Sequence, residues 1–159
     1  AGDVAPNNDS SASQLRYFLY QSISSDGHVV YLGEDTVLRE NGDKHYGEYS
    51  NAVVYERHYI KNHAHALIVL LSSPGSFCEI GDWAPEPEIC EKMLVIIDKK
   101  YEGKPSYISS GIVPFATINR AKVIYLDITD NGAVFLECKK HLEAVSAKQR
   151  LDELYGRAR

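Results

Sequence analysis

Ala66-Leu-Ile-Val-Leu-Leu-Ser-Ser-Pro-Gly-Ser-Phe-Cys-Glu-Ile-Gly-Asp-Trp-Ala84 is the stretch on which the reading of this chain turns. Leu67 to Leu71 is an unbroken apolar run with β-branched members, the pattern of a strand covered on both faces in a parallel sheet. Ser72 to Ser76 then breaks the strand with turn-forming residues. Ser76 has the character of a helix N-cap, and Glu79 follows it at capping-box spacing. A strand that passes through such a turn into a helix directs backbone N–H groups above the strand's carboxyl end, which favours an anion there.

Outward from this unit, strands are expected near residues 28–33, 66–72, 93–98 and 122–127. Leu15, Phe18, Leu19 and Ile23 recur at helical spacing, predicting a helix over 12–24. A second helix is expected over 48–62, after a polar loop from Asn41 to Gly47. Trp83, Pro85 and Pro87 should end the helix that follows the motif. Alternating helix and strand argues for an α/β fold: an open, mostly parallel flavodoxin- or Rossmann-like sheet with helices on both faces. Residues 1–131 would form this unit. Residues 132–159 would add a charged helix with two apolar faces, suited to partner contact or to leading into a further domain.

Composition narrows the functional classes. A formal net charge of −5 supplies no overall basic footprint for nucleic acid. Three cysteines (Cys78, Cys90, Cys138) cannot all pair within one chain and lack metal-ligand spacing, which fits reduced thiols in a cytoplasm. No apolar run in the sequence has membrane-spanning length. His58, His63 and His65 do not share one helix face, so locally hydrogen-bonded histidines are expected and no metal.

Glu79 carries two readings: a capping-box glutamate, or a carboxylate aimed into the crevice above the sheet as nucleophile or general base. Glu34 and Asp35 follow the segment 28–33 and are read either as site components or as a helix cap. Trp83 would pack in the core or stack on a nucleobase.

Ser-Pro-Gly-Ser-x-x-Glu-Ile-Gly after an apolar strand resembles the signature of nucleoside deoxyribosyltransferase-like N-glycosidases, and most closely those that serve as effector toxins of retrons. Met93 to Tyr101, Ser106 to Gly111 and Lys122 to Asp127 resemble further segments of those effectors, so the resemblance runs up to Asp127. It implies cleavage of the N-glycosidic bond of a nucleotide, such as NAD or a deoxy- or ribonucleotide, with Glu79 catalytic and no cofactor. It implies substrate contacts from Gly75 and Ser76, and from Gly2 and Asp3 in a first loop whose strand is expected before Ala1, so that the chain would be a piece of a longer protein. Ser73 stands where the transferases often carry a base-contacting aspartate, which favours hydrolysis over base exchange. Because such an activity would be toxic, the resemblance also implies restraint by a reverse transcriptase with its RNA–DNA product, and a homo-oligomer is a further expectation. Two other readings remain: a TIR-like NAD hydrolase, and a non-catalytic nucleotide-sensing or assembly module in which Glu79 only caps its helix.

Overall fold

The computed structural model describes residues 10–157. Three parallel strands form the sheet in the order β1 (Leu67–Leu70), β2 (Met93–Asp98), β3 (Lys122–Leu126). Val69 pairs with Val95, and Val95 with Val123, so the strands run in step with their carboxyl ends together. Met93 to Ile97 are all buried, as the continuous apolar pattern of a central parallel strand requires.

Side chains alternate across the sheet, and each face is covered by helices. Leu94 and Ile96 meet Leu15, Leu19 and Ile23 of α1 (Ser11–Ser25) and Val134 and Cys138 of α7 (Asn131–Leu154). On the opposite face Val69, Val95 and Ile97 meet Ile60 of α3 (Ala52–Asn62) and Ile80 and Trp83 of α4 (Pro74–Trp83). The same core takes in Ile89 and Cys90 of α5 (Pro87–Cys90) and Ala116 of α6 (Val113–Ile118). Burying each such large aliphatic side chain contributes about 1.5–3 kcal/mol, so these two layers supply the main driving force. This is the α/β, Rossmann-like architecture expected from the sequence. Trp83 is one of its core residues.

Three expectations need correction. The segment 28–33 is not a strand. A strand exists only where a neighbour completes its hydrogen-bond ladder, and among the described residues none lies beside it. Instead the Leu32 N–H donates to Asp35 Oδ2 at 2.8 Å, and Tyr31 packs edge-on against Tyr59. The polar stretch 41–47 is not a loop: residues 41–46 form the second half of α2 (Thr36–Tyr46), and Gly47 is its C-cap. Gly42 lets α2 approach α3 closely, because a Cβ there would sit 2.4 Å from Tyr55 Cβ. The next helix therefore starts later than residue 48, at Ala52, where the Asn51 side chain accepts from the Val54 N–H at 3.1 Å. The strand expected before Ala1 lies outside the described residues.

The carboxyl end of α3 is tied to the sheet through one lysine. Lys92 Nζ donates to the carbonyls of Ile60 and Ala64, and His141 Nε2 on α7 donates to the carbonyl of Lys92 at 2.9 Å. His58 accepts from the Tyr46 hydroxyl at 2.8 Å through Nδ1, a locally bonded histidine of the kind expected.

His141 makes stability depend on pH. Burial lowers its pKa below 6.5, opposed by the hydrogen bond to Lys92 and aided by the Lys122 charge. The unfolded chain then binds the proton more readily than the folded one, so stability falls as pH drops through 6.5 and levels off below the folded value. Each unit of depression is worth about 1.4 kcal/mol. Thermal melts of wild type and His141→Gln should therefore diverge with pH, the wild type losing ground relative to the variant between pH 7.5 and pH 5. Parallel curves would mean that His141 carries no proton-linked stability.

Candidate functional site

The turn after β1 is built by two serines. Ser73 caps α4, its Oγ accepting from the Ser76 N–H at 3.2 Å, and Ser76 Oγ accepts from the Ser73 N–H at 3.0 Å. The capping box is thus Ser73 with Ser76, three residues upstream of the pairing read from the sequence. The correction frees Glu79, which stands in the second turn of α4 and does not cap it. Ser76 Oγ also accepts from the Ser72 N–H and donates to the Ser73 carbonyl, so the hydroxyl is fully engaged in holding the turn. Gly75 is the open position of the turn, with only Ser73 Oγ near the place of a Cβ, at 3.8 Å.

Glu79 opens onto a cleft of about 120 Å³ between α3 and α4, lined by Ala52, Val53, Glu56, Cys78, Asp82 and Trp83. Glu56, on α3, is the residue that sequence reasoning missed. Burial and then the charges of Glu79 and Glu34 push its pKa up to about 7. Glu79 is also raised, by burial first; the Arg16 guanidinium opposes the shift and Glu34 adds to it. Glu56 lies against the backbone at Gly33, where a Cβ would come within 3.1 Å of its Oε1.

Glu34 and Asp35 divide their roles. Asp35 is buried and closes the 32–35 turn through its bond to the Leu32 N–H; it stands at the N-cap position of α2 without a side-chain cap bond. Glu34 reaches α1, where Arg16 Nη2 lies 2.6 Å from both of its carboxylate oxygens. One helix further, Arg57 fixes α3 against α4 and α5, donating to Asp82 Oδ1 at 3.3 Å and to Glu86 Oε2 at 2.8 Å. That clamp sits one residue from Glu56 and sets its distance from α4.

A larger cavity of about 380 Å³ lies at the carboxyl ends of the strands. Ala12 and Leu15 of α1, Ser72 after β1, Asp98 at the end of β2, Tyr101 beyond it, and Thr129 after β3 line it. Open parallel sheets bind ligands at this end, and the volume is that of a small-molecule site. Gly2 and Asp3 lie outside the described residues.

A comparison with protein families matches residues 12–156 to the family described as STM3845 retron effector protein. The chain belongs to that family. It is a retron effector, and its broad role is that of an effector in retron defence. No curated protein matches the chain. Among the effector's described residues, no helix is long and apolar enough to cross a membrane.

In this effector the charges of Glu79 and Glu34 act on Glu56, and those of Arg16 and Glu34 act on Glu79, across three segments of chain. Negative charge is costly in a half-buried cleft, and this favours the protonated form of Glu56. Two acids at different protonation states are the equipment of acid-assisted bond cleavage.

Proposed function

We propose that the retron effector is a toxin that hydrolyses the N-glycosidic bond of a nucleotide, NAD or a deoxy- or ribonucleotide, at the Glu56–Glu79 cleft. The observation that carries this reading is that Glu56 shares a half-buried cleft with Glu79, where burial and the neighbouring charges push its pKa up to about 7. As the C1′–N bond breaks, its electron pair goes to the base and C1′ becomes oxocarbenium-like. Ionised Glu79 stabilises that cation or traps it covalently. Glu56 delivers its proton to a departing purine or pyrimidine, and recovers one from the water that attacks C1′. The nicotinamide of NAD would leave as a neutral molecule without that proton. Restraint by a reverse transcriptase and its RNA–DNA product remains part of the proposal.

The test is incubation of the protein with a panel of nucleotides, nucleosides and NAD, with chromatographic detection of free base. Base release from at least one nucleotide is expected. Binding without release from any of them would favour a nucleotide-sensing module. The TIR-like alternative draws on the same strand–turn–helix placement of Glu79, but no second feature of the cleft favours it.

A further inference from the structure

The Arg16–Glu34 pair differs from the Arg57 clamp. Arg57, at the opposite side of α3, is divided among Asp82 Oδ1, Asp82 Oδ2, the Asp82 carbonyl and Glu86, and is built in. Arg16 instead meets one side chain among the described residues, with both Glu34 oxygens 2.6 Å from Nη2, and the two partners are 43% and 48% exposed. It stands one helical turn beyond Ala12 and next to Leu15, both of which line the 380 Å³ cavity, and its charge also reaches Glu79. Through Glu34, whose neighbour Gly33 lies against Glu56 Oε1, the pair borders the carboxylate cleft. A guanidinium nitrogen that takes two carboxylate oxygens can take phosphoryl oxygens in their place. An exposed internal pair gives up its partner at little cost, because such pairs contribute little net stability.

We infer that Arg16 is a phosphoryl-binding, specificity-determining residue, and that Glu34 occupies in the free protein the place a substrate phosphate takes in the complex. The ligand class is a phosphorylated nucleoside as opposed to the bare nucleoside. The preference in turnover rests on the glycosidase reading above; the binding does not.

The experiment uses inorganic pyrophosphate as probe, titrated calorimetrically into the full chain at constant ionic strength. Arg16→Gln should weaken binding by about 10- to 100-fold, the effect of losing a charge-assisted contact, and Arg16→Lys by less. Glu34→Gln should tighten binding severalfold, because it removes the competing anion. Equal affinity in wild type and Arg16→Gln, or no gain in Glu34→Gln, would overturn the inference. In turnover, Arg16→Gln should lower kcat/KM for a nucleoside 5′-monophosphate at least about tenfold more than for the matching nucleoside. Equal losses on both would overturn the specificity role and leave the glycosidase reading standing. Arg16-dependent pyrophosphate binding without turnover of any substrate would support the inference and overturn the glycosidase reading instead.

Discussion

Glu79→Gln is expected to lower base release by at least about 10²–10³-fold, the loss typical of one electrostatic contact to a transition state, and by more if Glu79 is the nucleophile. The fold should survive the change intact. Glu79 caps nothing: the helix start is secured by Ser73 and Ser76, whose bonds the substitution leaves alone. Burial raises the Glu79 pKa, so replacing the carboxylate with an amide removes a half-buried charge and should leave the melting temperature unchanged or slightly higher. Base release and thermal melts of both proteins provide the check. A variant that melts like wild type and still turns over within about threefold of it would leave Glu79 without a catalytic role.

Glu56→Gln should separate proton donation from electrostatics, and here the substrate decides the size of the effect. For a purine or pyrimidine nucleotide the rate should fall by about 10²–10⁴-fold, the usual contribution of a general acid, and the loss of activity above pH 7 should vanish from what remains. For NAD the fall should be far smaller, because nicotinamide leaves without a proton. Stability should move the other way. The folded-state pKa is about 7 against an ordinary 4.5, so the folded protein binds more protons than the unfolded chain between those values, and stability declines as pH rises through that window. The variant lacks this decline. It should melt a few degrees above wild type at pH 8 and converge with it near pH 4.5. Coincident melts at pH 8 would mean that the cleft imposes no such burden on Glu56.

The opposite responses of activity and stability would mark the cleft as a place where function opposes folding. Three acids share one corner of a protein in which several other acids are held by basic partners. Glu86 and Asp82 are held by Arg57, Asp152 by Lys148 and Arg157, and Glu137 by Lys140. A chain selected for stability alone would have spaced Glu56 and Glu79 apart.

Much of the scaffold was legible in the residues. Leu67 to Leu70, Met93 to Ile97 and Val123 to Leu126 are continuous apolar runs, and a run without polar alternation has no solvated face to offer, so both faces must be covered. Leu15, Leu19 and Ile23 announced α1 by their spacing, and each is buried against the sheet. The turn between β1 and α4 was also visible as a cluster of Ser, Pro and Gly. Which serine capped the helix was not, because Ser73 and Ser76 both have the chemistry and only the backbone angles at Ser73, φ −138 and ψ 160, distinguish the cap.

What the sequence by itself determined was the α/β class, the position of three strands and the presence of Glu79 just beyond a strand's carboxyl end. Those follow from local pattern, since strand and helix periods are written in neighbouring residues. Only the tertiary structure decided the rest. Residues 28–33 have the composition of a strand, but a ladder needs a partner that composition cannot supply. Residues 41–47 have the composition of a loop, but packing of Gly42 on Tyr55 keeps them helical. Glu56 is a polar residue on an amphipathic helix, indistinguishable in sequence from a solvated one. It becomes a proton holder because α3 packs beside α4, and the range of a charge is set by distance in space, not along the chain.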